Sequence, residues 1–138
     1  MVDRRIVAEK VDSVERSLKR VRSHRGESLE RFLADDDGQD IVLFHMMQAI
    51  QGCVDLAAHV VSDEEMGLAA STHDFFYLLS GNGVIPRHLS ERMIKAVGFR
   101  NLVAHEYAKL DLEKVYDVAT TAIQDLEEFL GEMVRRYA

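Results

Sequence analysis

Apolar side chains recur at alternating spacings of four and three residues along most of this chain, the repeat of one face of an α-helix. Val7, Val11, Val14, Leu18 and Val21 form the first such stripe and predict a helix over about residues 3–24. Gly26 follows where a helix C-terminus favours glycine. Residues 27–34 fit a short second helix, and Asp35-Asp36-Asp37-Gly38 reads as a turn. Leu43, Met47, Ile50, Val54, Ala57 and Val61 mark a long helix that ends near Ser62–Gly67. Thr72 is placed to cap a short helix containing Phe75, Phe76, Leu78 and Leu79, closed by Gly81-Asn82-Gly83. Pro86 suits the first turn of the next helix, roughly 87–106, because its missing N–H has no partner to lose there. Leu112, Val115, Ala119, Ala122, Leu126, Phe129 and Met133 form the last stripe. Strand-like alternation and internal repeats are absent. The expectation is a single all-α domain over residues 1–138, a four-helix up-and-down bundle with one or two additional short helices.

Composition narrows this further. A chain of 138 residues buries enough surface for a core, and one Pro, eight Gly and no Trp leave few helix breakers. Cys53 is alone, which excludes an intramolecular disulfide and a zinc cluster of cysteine type. The charged N-terminus has no apolar signal core, and no stretch approaches the roughly 20 apolar residues a membrane helix needs. These features predict a cytoplasmic protein with no membrane partner.

The net charge of −7 argues against nucleic-acid binding over the whole surface, but the charge is unevenly laid out. Residues 1–31 carry nine Lys/Arg against six Asp/Glu, and 87–110 carry five against two, so each block is +3. Residues 32–86 hold nine acids and no Lys or Arg, and 111–138 hold three bases against seven acids. If the two positive blocks pack together they make one basic surface, and the acidic block suits a basic partner.

The stretch with chemical content is Gly98-Phe99-Arg100-Asn101-Leu102-Val103-Ala104-His105-Glu106-Tyr107. Leu89, Met93 and Ala96 set a core-facing seam whose continuation falls on Arg100, Val103 and Tyr107. A guanidinium in that phase needs a carboxylate, a backbone cluster, a subunit interface or a phosphate. Asn101 and His105, four apart, share a face and are spaced to hydrogen-bond. Arg100 and His105 are five apart, roughly 140° around an ideal helix. Either the helix loosens near His105, or a second copy of the chain supplies the missing half of a site.

The stretch from Val84 to Tyr107, with its R-N-x-x-x-H-x-Y pattern, resembles the HepT-like branch of the HEPN superfamily. The similarity extends to Asp55–Val61, Thr72–Gly83 and the final helix from Leu110. It implies a bundle that dimerises so that two motifs face each other across a cleft. It further implies a metal-independent ribonuclease without cofactor, the toxin of a toxin–antitoxin pair. Its partner would be a small MntA-type nucleotidyltransferase antitoxin able to transfer AMP to Tyr107 and so block the site.

These residue types fit RNA cleavage without a metal, since RNA carries its own nucleophile, the 2′-hydroxyl. His105 would act as general base or acid, as imidazoles do around neutral pH. Arg100 would stabilise charge on the phosphorane-like transition state, and Asn101 would hold the imidazole or a phosphate oxygen. Tyr107, two turns after Arg100, would bring an attached phosphate close to that guanidinium, or else be a buried tyrosine packing on Val103. Two other readings stand beside this one: a non-catalytic HEPN-type module that binds a nucleotidyltransferase or nucleotide, and a motif that only stabilises a homodimer. His24, His45, His59, His73 and His88 have no metal-ligand spacing, and Gly81-Asn82-Gly83 is too short for a phosphate loop.

Overall fold

The computed structural model describes residues 1–138. Helices α1 (Arg4–Arg25), α2 (Leu29–Leu33), α3 (Asp36–Asp63), α4 (Thr72–Gly81), α5 (Arg87–Glu106) and α6 (Leu112–Tyr137) follow in order, with a 3₁₀ turn at Tyr107–Lys109 between the last two. There is no strand, as the periodicity predicts. Four long helices form the bundle and two short ones connect them.

Cross-helix contacts give the direction of each helix. Lys10 meets Asp55 while the His24 carbonyl lies against Gly38, and Arg100 meets Gln51 while Tyr107 meets Asp40, so α1 and α5 both run against α3. Arg22 meets Glu127, while Arg25 donates to the carbonyl of Ala119, so α6 also runs against α1. The result is an up-down-up-down bundle in the cyclic order α1, α3, α5, α6. The stripe Val7, Val11, Val14, Leu18 and Val21 is buried, as are Leu126, Phe129 and Met133 on α6. Phe76 on α4 packs edge-on against Phe129 with ring centroids 5.6 Å apart. Met47, Leu112 and Ala122, expected in the stripes, sit only partly buried at the margin.

Three local expectations are corrected. Asp35–Gly38 is not a turn: Asp35 is the N-cap of α3, its side chain accepting from the Gly38 N–H at 3.0 Å. A methyl group at Gly38 would displace the Asp35 carboxyl from its capping position. Thr72 does not cap α4; it is the first helical residue, and Ser71 before it makes no side-chain cap bond. Pro86 sits at the N-cap of α5 with its carbonyl accepting from Leu89 and Ser90. Replacing Asp35 by Ala should cost about 1 kcal/mol, read from urea midpoints.

α3 also differs from the expected hydropathy. It is long and apolar enough, by length and composition, to cross a membrane, with mean hydropathy 1.4 over 18 residues. Its position explains this: α3 packs against every other helix, so it is apolar on several sides. Half of that window is buried inside the bundle. Gly52 on α3 admits Val14 of α1, and a Cβ there would collide with Val14 Cγ2. Val cannot rotate away cheaply. Gly52→Ala should therefore destabilise by about 1–3 kcal/mol, measured by urea unfolding.

The two basic blocks do not merge. α1 and α5 lie on the diagonal, each flanked by acidic α3 and α6. Lys10–Asp55 is 3.5 Å and Arg92 reaches Asp125 at 3.6 Å and Glu128 at 3.7 Å. The single basic surface is thus replaced by alternating charge around the bundle. Cys53 is fully buried, and burial pushes its thiol far above its ordinary range. His59 is half-buried beside Asp63, 3.4 Å away.

Candidate active site

α5 buries Leu89, Met93, Ala96, Val97, Phe99 and Val103, which fixes the rotation of the helix. Arg100, in the seam, is half-buried, while Asn101 and His105 point to solvent. The partner of the guanidinium is neither carboxylate nor backbone. Its Nη1 donates to Gln51 Oε1 at 2.8 Å, and Nη2 and Nε donate to Asn101 Oδ1 at 3.0 and 3.3 Å. Gln51 is itself held, its Nε2 donating to Asp55 Oδ1 at 2.9 Å.

This arrangement has an electrostatic consequence. Two amide oxygens orient the guanidinium without cancelling its charge. An arginine has five N–H donors, and three are engaged here, so a planar, positioned cation keeps donors for an incoming anion. A carboxylate in the same place would neutralise it.

The expected Asn101–His105 bond is not formed, because Asn101 Oδ1 is turned to Arg100. His105 is exposed and makes no hydrogen bond within the chain. Nor does the helix loosen in time to bring the two together. α5 runs regularly past His105 and breaks at Glu106, with φ −132° and ψ 33°. Arg100 and His105 therefore remain roughly 140° apart around the axis, and one chain does not aim both at one atom.

Tyr107 falls after the break. It is 56% exposed, which corrects the reading of a buried tyrosine. Its hydroxyl donates to Asp40 Oδ1 at 3.2 Å, and that hydrogen bond, the Asp40 charge and some burial raise its pKa. Tyr107 and Arg100 both turn toward α3, but their partners, Asp40 and Gln51, are eleven residues apart, about 16 Å along the helix. An adduct on this hydroxyl does not lie against the Arg100 of the same chain. His105 shares with Glu106, Tyr107, Ala108 and Lys109 a separate shallow cavity of about 280 Å³.

Gln51 and Asp40 are the residues that sequence reasoning missed. Asp40, Phe44, Gln48, Gln51 and Asp55 recur at spacings of 4, 4, 3 and 4, a largely exposed stripe, polar but for Phe44, beside the buried one on α3. That exposed periodicity, interrupted by the apolar Phe44, was available; what it faces depends on the antiparallel pairing with α5. No group of three or more His, Cys, Asp or Glu side chains is placed to hold a metal ion.

The family described as Ribonuclease HepT-like matches residues 14–133, which include all of the residues above. The chain is 31% identical over 125 residues to the mRNA nuclease HepT of Shewanella oneidensis, covering 91% of this chain and 93% of that protein. It is 22% identical over 129 residues to the tRNA nuclease HepT of Aphanizomenon flos-aquae, covering 93% and 87%. Among solved structures it resembles the tri-AMPylated Shewanella oneidensis HEPN toxin in complex with MNT antitoxin. That likeness has a TM-score of 0.88 at 30% identity and covers 95% of this chain and 98% of the other.

Proposed function

The chain belongs to the HepT-like ribonuclease family, and from that premise we propose that it is a metal-independent endoribonuclease toxin whose site is completed by a second copy of itself. The observation that carries this reading is the pairing of a cation oriented by uncharged acceptors with an exposed, unengaged imidazole on the same helix. Arg100 binds the scissile phosphate and stabilises the added negative charge of the transition state. His105 takes the 2′-hydroxyl proton or protonates the 5′-oxygen as it leaves. Asn101 holds the guanidinium in place, a different task from the imidazole contact its spacing suggested. Since the two side chains diverge within one protomer, Arg100 of one copy and His105 of the other face the same phosphodiester.

The products expected are a 2′,3′-cyclic phosphate and a 5′-hydroxyl. Purified chain should cut RNA in the presence of a chelator and leave those ends, and it should spare a strand carrying 2′-deoxyribose at the cleavage point. Cleavage of that deoxy-substituted strand at an equal rate would remove the 2′-hydroxyl from the mechanism. The two curated relatives are nucleases of different RNA classes, mRNA and tRNA. Choice of RNA therefore varies within the likeness, while the cleaving groups address what every RNA shares.

The silencing partner in this reading is an MntA-type nucleotidyltransferase antitoxin that transfers AMP to Tyr107, acting with its toxin in the cytoplasm. A nucleoside and phosphate on that hydroxyl, two residues along the chain from His105, add bulk and negative charge beside the motif and so keep RNA from it. Wild-type chain produced together with such a transferase should carry adenylate on Tyr107 by mass spectrometry of tryptic peptides. Tyr107→Phe should carry none. An adduct on the Phe variant would assign the acceptor role to another residue.

A further inference from the structure

Tyr107 and Asp40 come from opposite ends of the sequence segment that forms the site, 67 residues apart, yet they meet hydroxyl to carboxylate at 3.2 Å. The contact is exposed, and exposed polar pairs of this kind contribute little to folding. The ring lies along an apolar groove of about 560 Å³ between α3 and α5, lined by Leu43, Phe44, Met47, Val103 and Ala104. The phenol oxygen faces the carboxylate, and with the ring 56% exposed it remains reachable from outside.

We propose that Asp40 is the proton acceptor that makes Tyr107 a nucleophile toward the α-phosphorus of a nucleoside triphosphate, so that the acceptor chain supplies part of the machinery of its own modification. The inference rests on the reading of Tyr107 as the modified residue. In the step, Tyr107 Oη forms a bond to the α-phosphorus while the bond from that phosphorus to the bridging oxygen of the β-phosphate breaks. Pyrophosphate leaves with the electron pair, and the phenolic proton passes to Asp40 Oδ1. The carboxylate beside the phenol disfavours a phenolate formed in advance. The proton therefore leaves during the transfer, and its departure neutralises the carboxylate that opposed the phenolate charge.

Asp40→Asn keeps an oxygen that accepts the tyrosine hydrogen bond but cannot take its proton. With an MntA-type nucleotidyltransferase that modifies the wild-type chain, ATP and Mg²⁺, first adenylate incorporation into Asp40→Asn should slow roughly 100-fold. Asp40→Ala should slow similarly and recover as formate is added, because the exposed site admits a small carboxylate. Circular dichroism melts of both variants establish that they fold. Incorporation into Asp40→Asn at the wild-type rate, or an Asp40→Ala rate that formate leaves unchanged, overturns the proposal. Tyr107→Phe run in parallel separates the two ideas: adenylate on that variant sinks the acceptor assignment itself, whereas its loss with unimpaired Asp40→Asn sinks only the role of Asp40.

Discussion

His105→Ala should lower the rate of RNA cleavage by roughly 10²–10⁴-fold and leave the thermal midpoint of the chain where it was. The second half of that expectation follows from geometry. His105 is exposed, bonded to nothing within the chain, and close to the end of α5, so truncating it removes neither packing nor a helix contact. A fall in activity then belongs to proton transfer. Arg100→Ala is a less clean experiment, because it also strands Gln51 Oε1 and Asn101 Oδ1. The paired measurements are single-turnover cleavage of a labelled RNA and a melting curve on the same preparation. Cleavage by His105→Ala within a few-fold of wild type would remove the imidazole from the mechanism, and a large drop in melting temperature would make its role structural.

The bundle was largely legible from the one-dimensional pattern because its stripes are long. Val7 to Val21 and Leu112 to Met133 each repeat for several turns, and a repeat sustained over that length leaves little choice of buried face. Local starts were harder to place. The run Asp35-Asp36-Asp37-Gly38 has turn composition, yet the same residue types cap helices and favour the positive end of the helix dipole. Only the Asp35 side chain on the Gly38 N–H decides between the two.

Charge carried more topology than it first disclosed. Blocks of opposite sign follow one another in the chain, basic α1, acidic α3, basic α5, acidic α6. In an up-and-down bundle consecutive long helices are neighbours, so like-charged helices fall on the diagonals. Each surface pair contributes only about 0–1 kcal/mol, but the alternative packing, with α1 beside α5, would set bases against bases along the length of the bundle. Repulsion of that kind favours one arrangement over another even where attraction adds little stability. It also removes the broad basic face that the sum of the two blocks suggested, leaving Arg100 as a cation held by neutral partners.

The residues of the motif stood out in the sequence, but the side chains they meet in the fold did not. Arg100 in a core-facing phase announced that something must satisfy it, and the list of candidates did not include a side-chain amide. Gln51 is 49 residues away, and no local spacing links the two. The same holds for Asp40 and Tyr107. Such pairings arise from how α3 and α5 are set side by side, which is a property of the packed bundle.

Mixing two inactive chains should restore activity. Arg100→Ala lacks the cation proposed to bind phosphate and keeps the imidazole; His105→Ala has the converse defect. If each site takes Arg100 from one copy and His105 from the other, a mixed dimer has one site missing both groups and one site with both intact. Random exchange makes half of the dimers mixed, so the mixture should regain about a quarter of wild-type cleavage. The double variant Arg100→Ala/His105→Ala mixed with either single variant should regain nothing, because no pairing then completes a site. The expected effect is large, since each parent alone should be down by roughly 10²-fold or more. The angle of roughly 140° between the two side chains on an unbroken helix prevents one chain from closing the site. Subunit exchange verified by mass spectrometry, with no recovery of cleavage, would show that the two groups act within one protomer and that α5 must unwind before His105 to let them meet.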